Sequence, residues 1–366
     1  MLDPACGSGN FLFLGLKTLI NIEHKSHLDA VAMGLDREAD LVTGPHNMLG
    51  IELNEYAAEL VRVTVWIGEL QWRLLHGYEF KTNPVLEPLD HIGCRDALLT
   101  FDAPRAAPVE AAWPKARVVI GNPPFLGGSE KRRELGDAYF EALDTVFASR
   151  VPGGADLVCY WFDKARKAIE SDGLGAAGLV ATNSIRGGGN CKVLEAIACS
   201  SRIYEAWSDE SWVNEGAAVR ISLVCFGHSS DARLNDALVY GIHADLTSES
   251  ENSDSINLTL AQALTENAGF VFEGLHKDGD LDLDGQTARR WMLGPNPNER
   301  SNAEILRPPI NGIDITRRSR NGWVIDFGAS MSDQDAALYE QPFAHVLRFV
   351  KPVREKNNDR IRRTFW

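Results

Sequence analysis

Asn122, Pro123, Pro124 and Phe125 are the residues of this chain whose types and order could do chemistry. The Asn122 amide oxygen and the Pro123 carbonyl can both accept hydrogen bonds from one exocyclic amino group. The two prolines fix φ and keep those acceptors aimed. Phe125 offers a face on which a planar base can stack. An amine conjugated to a ring is a poor nucleophile because its lone pair is delocalised. Two acceptors on its hydrogens draw it toward a pyramidal, reactive form, through fixed dipoles and not through a charged base. The apolar run Val118-Val119-Ile120-Gly121 just before it reads as a buried strand. The tetrapeptide thus stands at a strand's carboxyl end, where open α/β sheets bind ligands. The competing reading of these four residues alone is a plain Pro-Pro turn, which is the weaker of the two.

The residues upstream favour the chemical reading. Asp3-Pro4-Ala5-Cys6-Gly7-Ser8-Gly9-Asn10-Phe11 leads into Leu12, Phe13, Leu14, Leu16, Leu19 and Ile20, an apolar set that fits a buried helix. The pattern is strand, glycine-rich turn, helix. Gly7 and Gly9 permit positive φ and a close approach of ligand to backbone. The third glycine of the dinucleotide fingerprint is missing and no Lys-Ser/Thr follows, so a small uncharged ligand edge suits the turn better than a pyrophosphate. Met48-Leu49-Gly50-Ile51-Glu52 reads as a second strand whose final carboxylate could take both hydroxyls of a ribose. Asp96, in Cys94-Arg95-Asp96-Ala97-Leu98-Leu99, follows a third short strand and could accept from an adenine amino group. Each acid taken singly is an ordinary loop residue. In the order glycine turn, Glu52, Asp96, Asn122 they support one another.

The elements that must position these residues alternate. Leu53 to His76 reads as an amphipathic helix with Leu60, Val61, Val65, Leu70, Leu74 and Leu75 toward a sheet and Gly77 ending it. Phe101 to Trp113 reads as a loop. Arg132 to Phe147 is helical after Gly127-Gly128, where a lid over the base could begin. Asp156 to Glu170 is a helix with Leu157, Tyr160, Trp161, Ala165 and Ile169 inward. Gly178 to Thr182 and Val219 to Phe226 are strands, the second of them antiparallel. Arg186-Gly187-Gly188-Gly189-Asn190 reads as a glycine loop on the same edge, able to shape a base pocket. The alternation predicts a doubly wound α/β sheet, and right-handed crossovers put every motif loop on one edge. Beyond a boundary near Gly241 come short strands and turns (Asn296-Pro297-Asn298, Asn311-Gly312, Asn321-Gly322), which suggest a C-terminal α+β module.

Composition sets outer limits. At 366 residues with 44% hydrophobic content, the chain has room for two domains and a substantial core. No run of 18 apolar residues and no signal peptide is visible, so neither a membrane span nor secretion is expected and a cytoplasmic place fits. The six cysteines lack CxxC spacing and fit reduced thiols, not disulfides or zinc. A net charge of −14 argues against a generic DNA-coating protein. The charge is uneven: residues 229–300 hold 13 acids and five Lys/Arg, whereas Val346 to Trp366 holds seven Lys/Arg and two acids. That last tract, with Phe349, Phe365 and Trp366 interleaved, suits phosphate contacts or a solvated helix.

In these motifs the chain resembles the S-adenosyl-L-methionine-dependent amino-methyltransferases. It is most similar to the MmeI-like (Type IIL) restriction–modification DNA adenine-N6 group, with the cofactor motif before the catalytic motif. The likeness rests on Asp3 to Phe11, on Asn122 to Gly128, on Ala155-Asp156-Leu157-Val158 with Tyr160-Trp161-Phe162, and on Ala181 to Gly187. In the C-terminal part it rests on Arg307 to Ile315 and Trp323 to Gly328. The resemblance implies a Rossmann-like methyltransferase domain over 1–240 and a partial target-recognition domain over 241–366. It implies that Asp3, Pro4, Ala5, Cys6, Gly7, Gly9, Asn10 and Phe11 hold the methionine and sugar of S-adenosyl-L-methionine, Glu52 the ribose, and Asp96 with Ala97 the adenine. Asn122 and Pro123 would grip the target amino group, Pro124 would stiffen the turn, and Phe125 would stack on a base flipped out of double-stranded DNA. No metal is implied. Family members carry a region before the cofactor motif and an N-terminal nuclease. Glu130-Lys131 alone is no nuclease constellation, so a fragment with its nuclease region or subunit elsewhere is expected. Open alternatives are the same chemistry on cytosine N4, on RNA or on a protein glutamine, and a catalytically inactive DNA-binding remnant.

Overall fold

Strands with apolar residues on both faces need cover on both sides, and the helices between them supply it. The computed structural model describes residues 1–35, 41–78, 89–101, 107–214, 217–249, 264–267, 280–310, 316, 321–328 and 331–356. Two units separate, Met1–Gln262 and Ala263–Trp366.

The first unit is built on β1 (Leu2–Asp3), β2 (Leu49–Glu52), β3 (Ile92–Cys94), β4 (Leu99–Thr100), β5 (Val109–Glu110), β6 (Val118–Gly121), β7 (Ala176–Thr182), β8 (Arg202–Asn214), β9 (Ala217–Gly227), β10 (Ala232–Leu234) and β11 (Ala237–Val239). Nine of these form one sheet in the order β11-β10-β8-β9-β7-β6-β1-β2-β3. β3, β2, β1, β6 and β7 are parallel. β9 runs antiparallel between β7 and β8. β4 and β5 pair apart as a small antiparallel ribbon.

The helices are α1 (Asn10–Ala32), α2 (Glu55–His76), α3 (Gly128–Leu135), α4 (Asp137–Phe147), α5 (Val158–Ser171) and α6 (Gly188–Ser200). They divide between the two faces. A Cβ on Gly50 would meet Leu12 of α1, whereas its neighbour Ile51 joins the cluster of α4, α5 and α6. Consecutive strand residues point to opposite faces, so α1 and α2 cover one side and α4 to α6 the other. Strand order reverses between β1 and β6, and this switch point opens a crevice at their carboxyl ends. Gly121 closes β6 where any Cβ would sit 2.7 Å from Asp3 Oδ1. The two motif loops therefore leave the sheet side by side.

Several readings change. On α2 the buried stripe runs through Ala58, Val61, Val65, Gly68 and Trp72. Leu74 and Leu75 lie out of that phase and are exposed, and Leu60 is about one-third exposed, at 36%. On α1, Leu12, Leu16 and Ile20 are buried while Leu14 is 60% exposed, because one helix face alone meets the sheet. Phe101 to Trp113 is not all loop: it contains β5, and residues 102–106 lie outside the described residues. Arg186 to Asn190 is not a glycine loop. Asn183–Arg186 makes a 3₁₀ turn and Gly188, at φ 58°, opens α6. The helix read from Asp156 starts at Val158, because the Asp156 carboxylate accepts from the Val158 N–H at 3.2 Å. The long strand β8 has no counterpart in the sequence reading.

In the second unit β14 (Asp282–Asp284), β15 (Leu306–Arg307) and β16 (Gly322–Ile325) form an antiparallel sheet in the order β14-β16-β15. Between β13 (Ser248–Glu249), which pairs with β12 (Gly241–Ile242) in the first unit, and β14, most residues are outside the described set. α7 (Gly285–Leu293) is capped by Asp284, which accepts from Gln286 and Thr287 N–H at 2.8 and 2.9 Å. Leu283, Ala288, Ile305, Leu306, Ile325, Tyr339, Val346 and Val350 make its core, an α+β arrangement. Asn321, at φ 52°, turns the chain into β16 as its Asn-Gly pair suggests. Asn311-Gly312 lies outside the described residues, as do Arg360, Arg362, Arg363, Phe365 and Trp366 of the basic tract. Among the described residues no helix is long and apolar enough to cross a membrane.

Leu16→Ala should cost about 2–5 kcal/mol of unfolding free energy, and Leu14→Ala within about 0.5 kcal/mol, in urea denaturation of the two variants. Equal losses would contradict the placement of α1.

Candidate active site

The turn after β1 is held by its neighbours. Asp3 is 1% exposed, and its Oδ1 accepts from the Ala5 N–H at 3.0 Å. The Trp161 indole N–H, on α5, donates to the Pro4 carbonyl at 3.1 Å. Cys6 turns into the α1–α2 cluster. Burial pushes its thiol up and keeps it protonated, so it is a packing residue, not a nucleophile. Gly7 and Gly9 hold φ of 54° and 91°. At Gly9 a Cβ would also crowd the Val61 backbone at 3.3 Å, so glycine is required twice over. Asn10 is exposed and Phe11 half-buried at the start of α1.

Glu52 is half-buried at the end of β2. One carboxylate oxygen accepts from Gly7 N–H at 2.8 Å and the other from Asn54 N–H at 2.9 Å. Each oxygen keeps one acceptor site, so an oriented carboxylate remains open to two hydroxyls. Asp96 sits just beyond β3. Its Oδ1 accepts from Leu98 and Leu99 N–H at 2.7 and 3.3 Å, and its Oδ2 from the Tyr139 hydroxyl at 2.7 Å. Tyr139 belongs to α4.

Asn122 is exposed at the end of β6, Pro123 is buried, Pro124 is exposed, and the half-buried Phe125 packs against the α4–α6 cluster. The loop is anchored just after the tetrapeptide. Leu126 N–H donates to Asp156 Oδ1 at 3.0 Å, and Leu157 N–H to the Leu126 carbonyl at 3.0 Å. Asp156 N–H donates to Asn190 Oδ1 at 2.7 Å, and the Asn190 amide donates on to the Ser184 carbonyl at 3.1 Å. α3 follows, seated tightly: a Cβ on Gly128 would be 2.2 Å from the Gly154 carbonyl oxygen. Lys131 is fully buried there, its ammonium donating to the Gly153 carbonyl at 3.1 Å and lying 5.1 Å from the Tyr160 ring centroid. Burial lowers its pKa. Glu130 points outward beside Arg133, so the pair does not converge.

These loops surround a cavity of 540 Å³ lined by Pro4, Ala5, Glu52, Asp96, Ala97, Asn122 and Pro124 among the sequence-expected residues. Asp3, Cys6, Gly7, Gly9, Asn10, Phe11, Pro123 and Phe125 do not line it. Ile51, Leu53, Leu98 and Leu157 give an apolar lining, and Glu134, Leu135 and Tyr139 form the roof. A larger depression of 940 Å³ follows Arg202, Ser230, Tyr240 and Ser248, away from every motif loop. Its size does not make it the site, since it holds none of the convergent carboxylates. The 540 Å³ cavity suits a nucleoside, with an open carboxylate at one strand end, a second at the next, and an apolar wall for a ring. Beside it stands an exposed amide that can accept from an amino group.

A family model for the MmeI DNA-methyltransferase domain matches residues 1–238. The chain belongs to that family. DNA methyltransferase A of Bacillus subtilis (strain 168) is 26% identical over 250 residues, covering 64% of this chain and 27% of that protein. The structure of the Type IIL restriction-modification enzyme MmeI in complex with DNA aligns at TM-score 0.56 and 18% identity, over 99% of this chain and 49% of that one. That likeness shows the fold. This MmeI-family chain thus spans about a quarter of the first relative and half of the second.

The sequence reading missed Tyr139 and the roof residues Glu134 and Leu135 as wall, and missed Asp156 and Asn190 as anchors of the Asn122 loop. Gly136, at φ 81° between α3 and α4, was the available signal that the segment folds back over the edge.

Burial pushes the Asp3 carboxyl up from 3.8 to about 7 against the pull of the Ala5 N–H, and the Glu52 charge adds to the rise. A carboxyl raised on folding holds its proton more tightly in the folded state. Its stabilising contribution is full below the unfolded value of 3.8 and is lost as pH climbs to about 7. Asp3→Asn should remove this slope, up to about 1.4 kcal/mol per pH unit. Urea midpoints measured from about pH 4 to 8 should favour the variant increasingly up to neutrality and then level off. A constant difference would mean that Asp3 does not titrate on folding.

Proposed function

We propose that this chain transfers a methyl group from S-adenosyl-L-methionine to the N6 amino group of adenine in a specific sequence of double-stranded DNA, as the modification part of a restriction–modification system. The observation that carries the proposal is the meeting, around one cavity, of the oriented Glu52 carboxylate, Asp96 and the exposed Asn122 amide. The residues fit the cofactor. Glu52 would take the ribose hydroxyls, Asp96 with Ala97 the adenine, and the Asp3-to-Phe11 turn, with Pro4 and Ala5 at the wall, the remaining sugar and methionine. When bound, S-adenosyl-L-methionine supplies an electrophilic methyl on a sulfonium sulfur. Asn122 Oδ1 and the Pro123 carbonyl would accept the two amino hydrogens, and Phe125 would stack on the extruded base. The two acceptors hold the nitrogen pyramidal and take up the positive charge that grows on it. The nitrogen exchanges one hydrogen for a methyl, and the proton leaves past those acceptors to water. The Asp156–Asn190 anchor supports the loop so that the acceptors stay fixed. Residues 1–240 would be the methyltransferase domain and 241–366 a target-recognition domain, with cleavage belonging to a nuclease region or subunit outside these residues.

Incubation with labelled S-adenosyl-L-methionine and unmethylated genomic DNA, followed by nucleoside analysis, tests this. N6-methyladenine is expected from the wild type, with Asn122→Ala reduced at least about a hundredfold. Label in cytosine, RNA or protein would reassign the acceptor. DNA binding without label would identify an inactive remnant.

A further inference from the structure

Tyr139 makes a contact that the proposed function does not use. Its hydroxyl donates to Asp96 Oδ2 at 2.7 Å from a helix 43 residues away in sequence. Asp96 Oδ1 is already tied by two backbone N–H groups of its own loop. Those two bonds fix Oδ1, and with it the carboxylate plane, but leave both acceptor sites of Oδ2 open. The Tyr139 hydroxyl fills one of them, so that a ligand N–H reaching Oδ2 meets the other, in one direction. A carboxylate has about four acceptor sites; three are filled here, so one remains, on Oδ2. Asp96, Ala97, Leu98 and Tyr139 all line the same cavity. Burial and the Asp96 bond both push the Tyr139 pKa up, so the phenol is a donor throughout the physiological range.

We propose that Tyr139 is a positioning residue that aims the last acceptor site of Asp96, so that the cavity takes a purine bearing an amino group and rejects one bearing an oxygen. This rests on the reading of the cavity as the cofactor site. A carboxylate oxygen with one aimed lone pair attracts an N–H at the purine 6-position and repels a carbonyl there. Without the tyrosine hydroxyl a second acceptor site opens on Oδ2, which water or the N1–H of a 6-oxopurine can use, and the two purines become more alike to it.

The test is calorimetric binding of S-adenosyl-L-homocysteine and of S-inosyl-L-homocysteine, its deaminated counterpart, to the full chain. No turnover is required. The wild type should prefer the adenine compound by about tenfold or more. Tyr139→Phe, which keeps the ring and its packing, should shrink that preference by about fivefold or more. Leu135→Ala, in the same roof, should weaken both compounds alike and keep the ratio. A Tyr139→Phe ratio equal to or above that of the wild type overturns the inference, because a packing role lowers both affinities together and a competing hydroxyl would raise the affinity for adenine. A wild type that binds both compounds equally overturns the role of Asp96 and this inference with it, while leaving a ligand in the cavity. A wild type that binds neither overturns the cofactor reading itself.

Discussion

The site depends on one close approach, the Asp3 carboxylate against the α-carbon of Gly121. A Cβ there would lie 2.7 Å from Asp3 Oδ1. Any side chain at 121 would displace the buried Asp3 carboxyl at the point where strand order reverses. Burying a carboxylate is costly unless it is satisfied, and here its rise to about 7 records that cost. What the arrangement secures is geometric. Asp3 shapes the Pro4-Ala5 turn from beneath through the Ala5 N–H, while Trp161 takes the Pro4 carbonyl from α5. Proline has no N–H to satisfy, so these two bonds settle the turn's polar groups without competing with a ligand.

The same device recurs around the crevice. Gly7 N–H is bonded to Glu52 at the end of the adjacent strand, and Leu126 N–H to Asp156 just before α5. In each case a loop that contributes acceptors or backbone to the cavity is fixed by a carboxylate from another segment. Gly7 shows why glycine is needed: at φ 54° it turns its N–H toward Glu52, a conformation that residues with a side chain adopt only at a cost. Positions on the wall are thus set partly from behind, by Asp3 and Asp156, and partly by Glu52 and Trp161, which line it themselves, the kind of supporting shell that a precise site requires.

How much of this is legible in the sequence follows from how local each interaction is. The turn after β1 and the Asn122 tetrapeptide are contiguous strings whose glycines and prolines carry their own backbone instructions, and both stand where the reading put them. Glu52 and Asp96 were legible because strand ends are marked by a change from apolar to polar. β8 was not legible. Its alternation is broken by irregularities between Ile203 and Glu205 and between Trp207 and Glu210, which destroys the period-two signal. Gly187-Gly188-Gly189 misled for a related reason: glycine permits a loop but equally opens α6. Leu74 and Leu75 are apolar yet exposed, because phase on the helix and not hydrophobicity decides which face meets the sheet. The Tyr139–Asp96 bond spans two elements, and no local pattern announces it.

The roof connects the Asn122 loop and the Asp96 loop. α4 buries Ala142, Leu143 and Phe147 in the core on one face of the sheet, whereas α3 adds little to that core, so α3 is placed chiefly by its anchors. At one end Gly128 lies against Gly154 and Lys131 holds the Gly153 carbonyl; at the other Tyr139 holds Asp96. Gly136, with its positive φ, lies between. Elements with few buried contacts of their own open at lower free energy than the core they rest on. α3 is largely polar and brings no side chain to either apolar cluster except Leu135, which is half-buried. The segment joining the Asn122 loop to the Asp96 carboxylate thus carries, in α3, an element with little apolar burial held between two anchors. Asp96 lines the cavity with the same carboxylate that holds the roof down, and the roof continues through α3 into the Phe125 backbone. The Asn122 loop and the Asp96 carboxylate are in this way joined by one segment, though they follow strands separated in the sheet by β1 and β2.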